Sequence, residues 1–427
     1  MEINENCIMK NNEYINEILD ILTGENNVFD GNIYSFSYFP KKIDSDIDQI
    51  KLRPTYTLTG YETIKKYNDL FEGLYNNIVG NKKMTLKVFK DNVQNFIFEN
   101  RFNEEEIKKF INEKKEYVTN DIYKIYGLSM EKDVLKIGKY TLVKKNYIST
   151  YLKSITSLKD TDYNKFEEKL LSNDSSDNRW SFIYIISQHK TIDNLYSTQL
   201  MKEEIKKIVY VLRFISCYKM KRTYIDSVPF ISYSKSHFQF VNDWMTSGHE
   251  IVRKDLPIPI DDEWFYLEEK GHKKLWDLLD FESAHTEIED RILKSIEWVG
   301  KAYGEEDERV AFLEIAFAFE TLLVYDKKGS IKPSIVASLS EAYAFINGRN
   351  TDERIRLEDE FKDFYGDRSG LVHGQKNRLD NYKINPYEMI TKTIRNLLIT
   401  DKFSKCKNME ELFTSLKKIK YSSAEEY

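Results

Sequence analysis

The chain has 427 residues, 41% apolar and 31% charged, with a formal net charge of −6 at pH 7. It is long enough for two or three domains, each with its own core, and has the composition of a soluble globular protein. A mildly acidic total excludes nucleic-acid binding through bulk charge, so any RNA site must be local. Cys7, Cys217 and Cys406 are the only cysteines and are far apart, which excludes a cysteine zinc site and argues for a reducing compartment without structural disulfides. The acidic start, Met1-Glu-Ile-Asn-Glu-Asn6, lacks the basic flank and apolar core of a signal peptide. The longest apolar run, residues 310–325, is interrupted by Glu314 and Glu320 and is too short to span a bilayer. A cytoplasmic protein with no membrane segment is expected.

Residues 1–150 mix short strand-like and helix-like pieces. Alternation and β-branched or aromatic content predict strands over 32–39 and 84–89, and a strand or hairpin over 133–143. A charged helix is expected from Asn103. No phosphate-cradling glycine loop, nucleotide motif or repeat is present. The polar run at 172–178 reads as a loop between subdomains. A buried strand over 180–186 follows. Then comes a long helix over about 191–217, with a stripe of Leu195, Leu200, Ile205, Ile208, Val209, Leu212 and Ile215. Short strands are expected over 222–225 and 230–233. Leu256-Pro-Ile-Pro-Ile260 should run extended across a surface. A short helix over 271–279 leads into the last region.

From about His285 the pattern is almost purely helical. Ile288, Ile292, Leu293, Ile296 and Val299 mark one amphipathic helix. Residues 308–325, apolar nearly all round, should be the central helix of a bundle. Pro333 begins a third helix with Ile335, Val336, Leu339, Ala342 and Phe345 inward. Asn350 and Glu353 form a capping box for a fourth, which carries Leu357, Phe361, Phe364 and Tyr365. Asn385-Pro-Tyr-Glu388 repeats the start signal ahead of Ile390, Ile394, Leu397 and Leu398. A short helix over 409–419 closes the chain. The fold expected is thus an α+β N-terminal region followed by an all-α bundle.

Within the fourth helix the core stripe continues at Arg368, where a charge is costly unless paired or at the edge of a polar cleft. His373 lies at the helix end, beside Gly374, which suits the left-handed position there. Five residues on an ideal helix separate the two by roughly 140°, so they line opposite walls of a cleft unless Gly370 kinks the helix. Such a pair suits phosphodiester cleavage of RNA. A histidine can exchange a proton near neutral pH, and an arginine can hold the phosphate and stabilise developing charge. The neighbouring 2′-hydroxyl is the nucleophile, so no metal or cofactor is required. The plainer reading of the same residues is a salt-bridged arginine and a helix-capping histidine. Glu320, in a nearly all-apolar helix, needs a partner, and Arg368 is the expected one; Glu314 is its rival. Lys376, Arg378 and Lys383 could contact RNA phosphates or form a solvated loop. His189, His237, His249, His272 and His285 have no ligand spacing and read as surface or structural. Aromatics over 218–244 could stack bases, or pack the second domain.

Arg-x4-His in the setting Phe364-Tyr-Gly-Asp-Arg-Ser-Gly-Leu-Val-His-Gly374 resembles the defining motif of the HEPN superfamily, in its Apea-like branch. The helix 309–323, with a glutamate before a leucine pair, is also similar to that branch. The resemblance covers about residues 286–420. It implies a HEPN-like helical domain over 286–427, with residues 1–285 as an α+β sensor or regulatory region. It further implies a metal-independent endoribonuclease active as a homodimer, with two motifs meeting across a two-fold axis. Arg368 and His373 would be catalytic, with Ser369 in the polar position after the arginine. Many such proteins cut RNA in anti-phage defence, stopping growth of the infected cell. A phage-derived or partner-protein trigger would then release a nuclease that residues 1–285 restrain. The alternative is a non-catalytic HEPN module for dimerisation or for partner or nucleotide binding. A DNA-directed nuclease lacks the acidic metal cluster it would need.

Overall fold

The computed structural model describes residues 10–23, 34–35, 57–58, 61–79, 83–99, 101–155, 163–165, 167–168, 182–219, 232–241, 244–248, 258–279, 284–305, 307–325, 334–374 and 385–422. The chain forms two compact units, one of Met1–Thr119 with His189–Leu200 and one of Asn120–Gln188 with Met201–Tyr427. Among the described residues no helix is long and apolar enough to cross a membrane.

The first unit contains α1 (Asn11–Thr23), the two-residue strands β1 (Tyr34–Ser35) and β2 (Thr57–Leu58) paired antiparallel, α2 (Tyr61–Val79), α3 (Leu86–Phe98) and α4 (Glu104–Glu113). Ile18, Phe71, Leu74, Phe89, Val93 and Ile107 are fully buried in its core. The strand expected over 84–89 is a helix start instead. The Thr85 hydroxyl accepts from the Val88 amide at 3.2 Å and caps α3, while its own N–H and O–H donate to Asp193 Oδ2, each at 2.7 Å. Phe89 and Val93 then fall four residues apart on the buried face, and helical spacing wins over β-branched content. The charged helix expected from Asn103 is α4, and Asn103 caps it, accepting from Glu106 N.

The second unit is built on a six-stranded sheet of β3 (Tyr117–Tyr126), β5 (Val134–Ile137), β6 (Tyr140–Lys144), β7 (Phe182–Thr191), β8 (Ser232–Val241) and β9 (Trp244–Gly248), in the order β5-β6-β7-β3-β8-β9. The hairpin read over 133–143 is β5–β6, and the strand read over 180–186 is β7, which runs on to Thr191. Period-two alternation gives this sheet two buried faces. Tyr123, Ile125, Leu142, Ile183 and Ile185 join the main core, together with Ile205, Ile208 and Leu212 of α6 (Asn194–Lys219). Ile122, Tyr126, Val143, Tyr184 and Ile186 pack on Ile148 and Leu152 of α5 (Ile148–Ile155). Of the proline segment the described residues, 258–260, are extended, but they are not a surface strap. Ile258–Pro259 (β10) pairs parallel with β4 (Leu128–Ser129), and Ile258 and Ile260 are buried, because apolar side chains outweigh the exposure that two prolines suggest. Helix α7 (His272–Asp277) follows Gly271, whose φ of 76° favours glycine and where the first carbon of a side chain would crowd Leu398 at 3.1 Å.

Helices α8 (Glu287–Gly304), α9 (Glu308–Leu323), α10 (Ile335–Asn347), α11 (Thr351–Val372), α12 (Pro386–Ile399) and α13 (Met409–Tyr421) complete this unit. Their core is continuous with the sheet's inner face, from Tyr123 to Ile419. Each buried Phe or Leu contributes roughly 2 kcal/mol. Phe319 and Phe361, both fully buried, pack edge-on with centroids 5.0 Å apart, and Phe312 meets Phe364 at 4.9 Å. Ser334 caps α10, and Ile335, expected inward, is 57% exposed, because the helix turns Val336 and Leu339 rather than Ile335 toward the core. Asn350 accepts from Glu353 N as expected, while the Glu353 carboxylate reaches back to the Arg349 amide rather than closing on Asn350.

Lys376, Arg378, Lys383, Pro333, the loop at 172–178, the strand read over 222–225 and most of that over 32–39 lie outside the described residues.

Candidate functional site

Two helices of the second unit position the candidate residues. Helix α9 is held against α8 at three points. Ser295 Oγ donates to Ala318 O at 3.0 Å, and Arg291 Nη1 donates to the carbonyls of Thr321 and Val324 at 3.0 Å each, filling acceptors that the helix end leaves open. Helix α11 is fixed by Leu357, Phe361, Phe364 and Tyr365, all buried. Glu320 of α9 reaches across to α11. Its Oε1 accepts from Arg368 Nη2 at 3.1 Å and from the Tyr365 hydroxyl at 2.7 Å. The partner expected for Glu320 is therefore the one it has. Glu314, its rival, faces Lys301 and Glu305 instead. Burial and the Glu305 charge raise its carboxyl pKa against the opposing pull of Lys301, and its buried Oε2 has no hydrogen-bond partner.

The Arg368 side chain is 21% exposed and that of Glu320 is 26% exposed, so the pair lies at the rim of the bundle rather than in its core. The guanidinium also lies over two rings, with Cζ 5.4 Å from the Tyr365 centroid and 5.9 Å from that of Phe317. Its buried Nε has no hydrogen-bond partner. Burial, the hydrogen bond to Glu320 and that residue's charge push the Tyr365 phenol up to about 12, despite the nearby Arg368 charge. The phenol therefore stays a neutral donor across the physiological range.

Helix α11 runs without interruption through Gly370, which is buried and does not break it. Arg368 and His373 accordingly keep the ideal spacing, roughly 140° around the axis and about 7.5 Å along it. His373 is the C-cap: its N–H donates to Ser369 O at 3.0 Å, and Gly374 takes the left-handed conformation at φ 69°. The imidazole is exposed and Ser369 is half-buried. Gly366 and Val372 also face outward on α11. Nothing lies within 4 Å of where a Gly366 side chain would begin, and Val372 is 49% exposed.

Arg368 and Glu320 thus form one constellation, Ser369 and His373 stand beyond it at the helix end, and one member was missed by sequence reasoning. Tyr365 reads as a core aromatic, which its ring is. The available signal was a hydroxyl-bearing ring three residues before a rim arginine, on its own helical face. Among the described residues no three His, Cys, Asp or Glu side chains converge as metal ligands would. Comparison with family models, curated proteins and solved structures finds no match to this chain.

In chemical terms the site offers a permanently charged, oriented guanidinium at a rim, with an exposed imidazole about one and a half turns further along the same helix. The first suits an anionic oxygen and the second suits proton exchange with a bound ligand.

Proposed function

We propose that this chain is a metal-independent endoribonuclease of HEPN type, with Arg368 and His373 as its catalytic residues. The observation that carries the reading is the placement of Arg368. It occupies a core-stripe position yet reaches the rim, where Glu320, itself held by Tyr365, orients it through Nη2 while Nη1 is left to meet a phosphate. Cleavage of RNA requires removal of the 2′-hydroxyl proton, attack of that oxygen on phosphorus, and departure of the 5′-oxygen with a proton. The products are a 2′,3′-cyclic phosphate and a 5′-hydroxyl. His373 is the proton carrier, and Arg368 stabilises the charge on the phosphoryl oxygens. One chain brings a single histidine to this helix end. A homodimer packed on the outward face of α11, at Gly366, Val372 and His373, supplies the second, one serving as base and the other as acid. Ser369 lies on the same stretch as a lesser polar contact.

The remaining residues restrain or trigger cutting, consistent with an effector of anti-phage defence acting by abortive infection. The test is to express the wild type and His373→Ala in cells, challenge them with phage, and map total RNA. Cleavage sites present in the wild type and absent from the variant support the reading. Identical RNA in both sinks it.

A further inference from the structure

Arg368 is the end of a row of two rings flanked by two cations, whose other three members the cleavage chemistry does not use. Lys301 Nζ on α8 sits 4.4 Å above the Trp298 ring. Trp298 meets Phe317 of α9, with centroids 5.3 Å apart and planes inclined at 57°. Phe317 in turn lies under the Arg368 guanidinium at 5.9 Å. All four side chains are half-buried, so each keeps part of its surface toward solvent. The contrast within α9 is informative. Phe312 and Phe319 are core residues, 4% and 0% exposed, whereas Phe317 projects to the outer side and rests on Trp298 and Arg368. Two large rings kept at helix surfaces between two cations offer aromatic surface with positive charge at both ends.

From this row we infer a single-stranded RNA subsite: an unpaired base beside the scissile phosphate stacks on Phe317 and Trp298, and the neighbouring phosphate meets Lys301. Bases present a π-face of this kind only when unpaired, and stacking on aromatics with flanking cations is how single strands are held without sequence readout. Lys301 is available because its partner Glu297, at 2.9 Å, forms a solvent-screened i,i+4 pair that a phosphate can displace. Glu314 nearby opposes phosphate when ionised, and its raised pKa, from burial first and Glu305 second, weakens that opposition. The consequence for specificity is that this protein takes unpaired RNA and rejects duplex. The inference rests on the reading that Arg368 holds the scissile phosphate.

Binding, rather than cutting, tests it. Full-length His373→Ala is titrated with a short unpaired RNA and with the same sequence in duplex, following Trp fluorescence and the anisotropy of labelled RNA. Phe317→Leu, which keeps an apolar side chain and removes the π-face, should weaken unpaired RNA about tenfold. Lys301→Gln should weaken it less and reduce its salt dependence. Duplex should bind more weakly than the single strand and respond to neither change. Urea midpoints and circular dichroism matching the parent establish that the variants are folded. Unpaired RNA bound equally by parent and Phe317→Leu, duplex bound as tightly as single strand, or no RNA bound at all, each overturns the subsite. If unpaired RNA binds through Phe317 while wild type cuts nothing, the catalytic reading falls and the subsite stands. If wild type cuts RNA and Phe317→Leu binds it equally well, the reverse holds.

Discussion

Tyr365→Phe removes one oxygen and leaves the ring, 7% exposed and stacked on Phe361 with centroids 6.3 Å apart, so no cavity opens in the core. What is lost is a 2.7 Å hydrogen bond to the carboxylate that holds Arg368. A hydrogen bond to a charged group contributes roughly 1.5–3 kcal/mol. Here Glu320 and Arg368 are about a quarter and a fifth exposed, and solvent screening brings the expected cost to about 1 kcal/mol. The assay is a double-mutant cycle by urea denaturation with Glu320→Ala. Tyr365→Phe should cost about 1 kcal/mol in the wild type and close to nothing when Glu320 is absent. The sign of the pH dependence is also set. The folded phenol, pushed up to about 12 from 10.0, holds its proton more tightly than the unfolded one. The advantage over Phe is therefore fully present below about pH 10 and is lost as pH rises toward the folded value. Additive costs, with coupling under about 0.3 kcal/mol, would refute the clamp on Arg368.

Two further predictions concern the frame that carries the site. Burial lowers the His272 pKa from 6.5, while the bond between its Nδ1 and the Trp264 carbonyl at 2.7 Å partly opposes the shift. The unfolded chain then binds the proton more readily. This contribution to stability is complete above about pH 6.5 and declines as pH falls, with a slope of at most about 1.4 kcal/mol per pH unit. A urea midpoint series from pH 7.5 down to about 5.5 checks it, and a series no flatter in His272→Gln than in wild type contradicts it. Glu204, 1% exposed, pairs with Lys139 at 2.5 Å, so Glu204→Ala takes the carboxylate away from a mostly buried ammonium and should cost about 3 kcal/mol. A cost below about 1 kcal/mol by denaturant titration would contradict this, showing that Lys139 is satisfied without the carboxylate.

The helical third of the chain was readable because its starts are written locally. Asn350, Asn385 and Asn408 each accept from an amide two or three residues on, and Leu357, Phe361, Ile390 and Ile394 keep helical spacing without a break. Arg368 was conspicuous for the same reason, as the one charge on that stripe, and its need for a carboxylate pointed to Glu320. What failed locally was decided at long range. Thr85 becomes a cap with the help of Asp193, 108 residues away, which no window around 84–89 contains. Ile258 and Ile260 are buried by a strand pairing with residues 128–129 that prolines do not announce. The sharing of one core by the sheet and the C-terminal helices was equally invisible, because Ile185 and Phe319 lie far apart in sequence and each satisfies its own element's period. Tyr365 escaped notice because a single side chain serves the core with its ring and the site with its hydroxyl.

The most direct measurement of the central claim is the cleavage rate of purified wild type, Arg368→Ala and His373→Ala on one unpaired RNA, with the product ends analysed. The account predicts 2′,3′-cyclic phosphate and 5′-hydroxyl ends from the wild type, and a rate loss of at least about a hundredfold in each variant at unchanged urea midpoint for His373→Ala. Equal rates in wild type and His373→Ala, or products carrying 5′-phosphate, would contradict it.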